Sequence, residues 1–191
     1  MADTVGTRGL EAIKAPLFRE VKKGEMRKHI INLTVRNELG VLARIATLIA
    51  GKGYNIEGLS VGETHEKGIS RMTLEVIGDD VVIDQVVKQL RKLIDTLKVK
   101  DLTDTPHVER ELALVKVHTA TPRARDEVLR LVEIFRAKVV DVSSETYTVE
   151  ITGTEDKIKA FIELVRPFGI KEMARTGKIA MKREGSIQEE E

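Results

Sequence analysis

Between His29 and Leu102 the hydrophobic pattern changes period four times, and that order of changes constrains the fold more than any composition does. Ile31, Leu33 and Val35 alternate as in a strand, and Val41, Leu42, Ile45, Leu48 and Ile49 then form one helical stripe that Gly51 and Gly53 stop. Strand follows over Ile56 to Thr64, a loop over His65 to Gly68, and strand again over Ile69 to Ile77 with Met72, Leu74 and Val76 alternating. Gly78-Asp79-Asp80 caps a second helix with apolar positions Val82, Ile83, Val86, Val87, Leu90, Leu93 and Ile94, and Leu97 to Leu102 is a closing strand. The order is βαββαβ, the split ferredoxin-like arrangement.

After a linker at Thr103 to His107 the same order runs again. Arg110 to His118 is a strand, Pro122 opens a helix carrying Val128, Leu131, Val132 and Phe135, and Lys138 to Val142 is a strand. Ser143-Ser144-Glu145 turns into the alternation Tyr147, Val149, Ile151, and Thr154 caps a helix with Ile158, Phe161, Ile162 and Val165. Pro167 to Gly169 ends that helix, and Ile170 to Met181 supplies closing strand. The fold class is therefore α+β, two consecutive ferredoxin-like sandwiches over residues 29–104 and 105–184, followed by an acidic tail at 185–191. Each four-stranded sheet has edges to protect, so pairing between chains is expected.

The first helix carries the chemistry. Its leading N–H groups lack intrahelical acceptors and hold the positive end of the macrodipole, which suits a carboxylate. Gly40 admits close approach to the backbone, and Asn37 and Asn55 each offer a donor and an acceptor, a neutral set that suits a zwitterion. Asn occurs three times in the chain, and two of the three fall on the turns flanking this helix. Strand, turn, helix and Asn-bearing turn are expected to form a pocket for an amino acid. The plainer alternative is that Asn37 caps the helix while Gly40 and Asn55 only permit unusual φ.

Other function classes find less support. Lys plus Arg (32) nearly cancels Asp plus Glu (31), and aromatics are 3%, so no polyelectrolyte footprint or base-stacking platform marks a nucleic-acid binder. The absence of cysteine removes disulfides and thiol chemistry, and no apolar run approaches the ~18 residues of a membrane span, which fits a cytoplasmic protein. Four histidines, His29, His65, His107 and His118, share no metal-like spacing, so neither a metal site nor catalysis is expected. Arg110, Glu111, Glu133 and Arg136 read as a charge network that supports the second domain or faces a partner.

The segments Asn37-Glu38-Leu39-Gly40-Val41-Leu42, Gly53-Tyr54-Asn55-Ile56-Glu57 and Ser70-Arg71-Met72-Thr73 resemble an ACT domain. His107 to Val117, Glu133-Ile134-Phe135-Arg136 with Val140-Asp141-Val142, and Ala174-Arg175-Thr176-Gly177 extend the resemblance to the regulatory small subunits of acetolactate synthase (acetohydroxyacid synthase). That resemblance implies a non-catalytic subunit, without a cofactor of its own, that activates a large catalytic subunit carrying thiamine diphosphate, Mg and FAD. It also implies feedback inhibition by a branched-chain amino acid, usually valine, bound where ACT domains pair edge to edge in a homodimer. The implied ligand contacts are Asn37, Gly40 and Asn55, with Leu39, Val41 and Ile56 as neighbouring backbone and apolar walls. A stand-alone ACT-domain regulator of transcription is the alternative, and no helix-turn-helix precedes the domain.

Residues 1–28 have no counterpart in the usual family pattern and form an N-terminal extension. Lys22-Lys23-Gly24-Glu25 before Met26 would be encoded by purine-rich codons like those of a ribosome-binding site. Residues 1–25 are accordingly expected to be an upstream-start artefact or a disordered extension, with a short amphipathic helix over Leu10 to Val21 as the competing reading.

Overall fold

A computed structural model of the chain describes Gly24 and residues 26–184. Apart from Gly24 and residues 26–28, the expected N-terminal extension and the acidic tail at 185–191 lie outside the described residues.

The first domain contains β1 (Arg27–Arg36), α1 (Val41–Ala50), β2 (Ile56–Glu63), β3 (Ile69–Gly78), α2 (Asp80–Leu90) and β4 (Thr96–Asp101). Its antiparallel sheet runs β2-β3-β1-β4. Alternation places Ile31, Leu33 and Val35 of β1 and Met72, Leu74 and Val76 of β3 on one face, where they meet Val41, Ile45 and Ile49 of α1 and Ile83, Val86, Val87 and Leu90 of α2. Asp79 caps α2, its carboxylate accepting from the N–H groups of Val81 at 2.8 Å and Val82 at 3.3 Å. Two stripe residues leave the core. The chain turns off helical geometry after Leu90, so Ile94 is exposed, and Leu42 faces outward from α1.

The second domain repeats the order with β5 (His107–His118), α3 (Pro122–Ile134), β6 (Lys138–Val142), β7 (Thr146–Gly153) and α4 (Glu155–Val165). A short 3-10 turn at Arg166–Phe168 follows, with Phe161, Ile158, Val149 and Val115 at the centre of the core. Thr121 caps α3 through its hydroxyl, which accepts from Ala124 N–H at 3.2 Å, whereas Thr154 occupies the N-cap of α4 without a side-chain hydrogen bond.

The expected single closing strand is two. β8 (Ile170–Arg175) pairs with the second half of β5, and β9 (Ile179–Lys182) pairs with its first half, His107 to Arg110. Between them Gly177 sits at φ 74°, and a Cβ there would lie 3.1 Å from the Leu59 carbonyl oxygen. Only glycine fits both the left-handed backbone and the close approach. This break turns β9 across the helix-free face of the first sheet, where Asn32 Nδ2 donates to Ala180 O at 2.6 Å and Ala180 packs with Ile30 and Leu102. The two domains are thereby joined face to face.

Candidate functional site

Gly40, not Asn37, holds the N-cap of α1, at φ 82° and with no side-chain cap. The capping alternative for Asn37 therefore does not describe this helix. Arg44 N–H donates to Gly40 O at 3.0 Å, and Val41 N–H reaches Glu38 O only at 3.4 Å, so the N–H groups of Leu42 and Ala43 have no backbone acceptor. A Cβ on Gly40 would meet nothing within 4 Å, which leaves the approach to these groups open. The helix start carries no acidic side chain in its first turn, so the positive end of the dipole is uncompensated.

Asn37, Leu39, Gly40 and Asn55 are all exposed. Val41 is buried in the core, so only its backbone is available to a ligand, and Ile56 is half-buried against the same core. Asn55 donates through Nδ2 to Glu57 Oε1 at 3.1 Å. Among the described residues Arg136 is the one non-glycine residue with positive φ, so Asn55 was not selected for an unusual backbone angle.

A single chain does not gather these residues. Asn37 and Asn55 stand at opposite ends of the ten-residue helix α1, about 15 Å apart along its axis. Within one chain the two turns therefore do not close the local pocket expected from the sequence, because helix α1 lies between them. Asn37 N–H donates to Gly68 O at 2.8 Å, which ties the β1–α1 turn to the β2–β3 turn at the finish of β2. Asn55 immediately precedes the start of β2, an edge strand. On the helix side of that edge, Val61 lies opposite the buried Met72 yet is 50% exposed.

Sequence reasoning missed a second constellation, where the domains meet. Lys178 is 5% exposed and reaches Glu155 at 2.7 Å, Glu109 at 3.1 Å and Glu75 at 3.4 Å. Lys28 joins Glu155 at 2.8 Å and Glu75 at 3.3 Å, and Lys159 reaches Glu155 at 2.7 Å. Three ammonium groups thus face three carboxylates. Burial alone would raise the Glu155 carboxyl, but Lys159, Lys178 and Lys28 outweigh it and hold the group well below the carboxylate range. Burial likewise opposes charge on Lys178, and Glu155 and Glu109 overcome it, pushing the ammonium well above its ordinary value. Beside this cluster the buried Glu111 takes a bidentate pair from Arg175 at 2.7 and 2.5 Å. Of the expected charge network, Glu111 is structural, while Arg110 donates to Glu109 O at 2.7 Å and Glu133 and Arg136 make no ion pair among the described residues. The sequence shows little sign of the cluster, because its members come from four elements and the turn before β9.

The βαββαβ arrangement of the first domain is that of the ACT class, and residues 31–98 match the family described as the AHAS small subunit-like ACT domain. Residues 110–184 match the small subunit of acetolactate synthase. The chain is 78% identical over all 191 residues to the acetolactate synthase small subunit of Aquifex aeolicus, covering 99% of it. It is 54% identical over 156 residues to the probable acetolactate synthase small subunit of Archaeoglobus fulgidus, which spans 82% of this chain and 97% of that one. The crystal structure of the small subunit from Thermotoga maritima superposes with a TM-score of 0.74 at 42% identity, over 82% of this chain and 98% of that chain. The chain belongs to the acetolactate synthase small-subunit family. No helix among the described residues is long and apolar enough to cross a membrane.

Proposed function

We propose that the chain is the regulatory subunit of acetolactate synthase, activating a large catalytic subunit and making it sensitive to valine or a related branched-chain amino acid. The observation that carries the effector reading is the placement of the two turns, each a half-site, at opposite ends of edge strand β2. A two-fold axis that pairs β2 antiparallel with its copy brings the start of one strand beside the finish of the other. Asn55 and Ile56 of one subunit then meet Asn37 and Gly40 of the second. The helix start takes the effector carboxylate, the amides share its polar groups, and Leu39 and Ile56 flank its aliphatic side chain. A homodimer is thus the smallest assembly with a complete site.

In this reading the chemistry stays with the large subunit. Thiamine diphosphate, Mg and FAD belong there, the present chain binds no metal, cofactor, membrane or nucleic acid, and it works in the cytoplasm. The match of residues 110–184 to the synthase small subunit favours this assignment over a stand-alone transcription regulator. The test is reconstitution with the large subunit of the same cell. Co-elution, higher synthase activity and inhibition by valine, leucine or isoleucine are expected. A large subunit that neither binds nor gains activity overturns the assignment, and activation without any response to the three amino acids overturns the effector site alone.

A further inference from the structure

On the helix-free face of the first sheet, Thr34 stands between Arg71 of β3 and Lys98 of β4. One pair further along, Asn32 faces Lys100, and β9 brings Met181 and Lys182 over the same ground, followed by Arg183. Together they line a cavity of about 420 Å³; among its described lining residues Arg71, Lys98 and Lys182 supply positive charge beside the carboxylate of Glu184, while Lys100 and Arg183 have interactions of their own. Like charges crowded on one sheet face oppose folding. The chain has 31 acidic residues, and on this same face it neutralises Lys28 with two carboxylates and Lys178 with three. At Arg71, Lys98 and Lys182 it supplies none within ion-pair distance among the described residues. Arg71 Nε is moreover buried without a hydrogen-bond partner.

We propose that this cavity binds a small oxyanion bearing two or more phosphate or carboxylate groups. Arg71 presents a fork suited to bidentate oxyanion contact, and Lys98 and Lys182 add point charges from either side. The half-apolar wall of Leu102 and Met181 receives the ligand's carbon skeleton, and the volume lies in the range of metabolite sites. A neutral amino acid is a poor occupant, because its ammonium would enter a cationic site. The site is also separate from the β2 edge, lying on the sheet face opposite α1.

The experiment is calorimetric titration of the full chain with inorganic tripolyphosphate and, separately, with citrate, in the wild type and in a Lys98→Gln/Lys182→Gln variant whose unliganded melting curve is first compared with wild type. Saturable 1:1 binding of at least one probe is expected, weakened roughly tenfold or more in the variant and on raising the salt from about 50 to 200 mM. Tighter binding of tripolyphosphate would identify a phosphate-bearing ligand, and tighter binding of citrate a polycarboxylate. Arg71→Met provides a second variant with the same expected loss should the first fold poorly. No saturable binding of either probe at millimolar concentration, or equal affinity in wild type and folded variants, overturns the proposal. Loss of affinity for the large subunit in the variant, with neither probe bound by wild type, overturns it in favour of a protein contact.

Discussion

Gly40 concentrates two demands on one residue, a left-handed backbone at φ 82° and an uncrowded approach to the N–H groups of Leu42 and Ala43. The two demands separate by mutation. Gly40→Ala adds a methyl into open space but must hold positive φ, so it should cost about 1 kcal/mol of stability while still binding valine. Gly40→Asp adds a carboxylate where the effector's own carboxylate approaches, so it should abolish feedback inhibition with activation retained. Calorimetry with valine, beside activity of the reconstituted enzyme, distinguishes them, and a Gly40→Asp protein that binds valine like wild type would remove this turn from the site. Lys178 makes the opposite case, a buried charge with no role at the effector turn. Lys178→Met leaves Glu75, Glu109 and Glu155 crowded without their central cation and should destabilise the chain by about 3–5 kcal/mol in urea unfolding. Glu155 has a depressed folded-state value, so its contribution is present above the ordinary value of 4.5 and lost as pH falls through the folded value. Lys178 has a raised one, so its contribution is present below 10.5 and lost only as pH climbs past it. Stability should therefore be flat between these values and fall in acid, and Glu155→Gln should flatten the acid limb; an unchanged acid limb would show the cluster to be energetically silent.

At the scale of elements, β2 is the edge strand that the proposed dimer pairs with its copy. Its ladder partner β3 buries Met72, while Val61 opposite it stays half exposed and Leu42 faces outward from the adjoining helix. Val61→Lys places a charge on that strip and should yield a folded monomer that no longer binds valine, since each chain alone holds two half-sites. Light scattering at micromolar concentration and the same calorimetry decide it. A dimer of wild-type affinity would move the interface elsewhere, to β4 or to the second sheet. The periodicity of α1, β3, α2 and α4 was readable because each buries one face against one core. The split of the closing strand was not, because Ile170 to Met181 carries no proline and only one glycine, Gly177, and the contact that bends it is made with Leu59 of the other domain.

The described residues form two sandwiches held together by β9 and a buried ionic cluster. Linkage makes the proposed regulation measurable. If valine binds the free subunit and the holoenzyme differently, the affinity between subunits must change by the same factor, typically about 1–3 kcal/mol. Subunit affinity with and without saturating valine should differ; equal affinities in an enzyme that valine still inhibits would mean that the effector changes the rate and leaves association alone.

The chain by itself determined the elements, their order and the turns that flank α1, since period, turn chemistry and the placing of Asn37, Gly40 and Asn55 are local properties of a polymer. Tertiary structure decided what those residues can do. A helix holds Asn37 and Asn55 apart, so the proposed site calls for a second chain, and only the folding of β9 onto a foreign sheet brings Lys28, Glu75, Glu109, Glu155 and Lys178 together. Interactions between groups distant in sequence depend on the geometry of every element between them, and no local pattern encodes that sum.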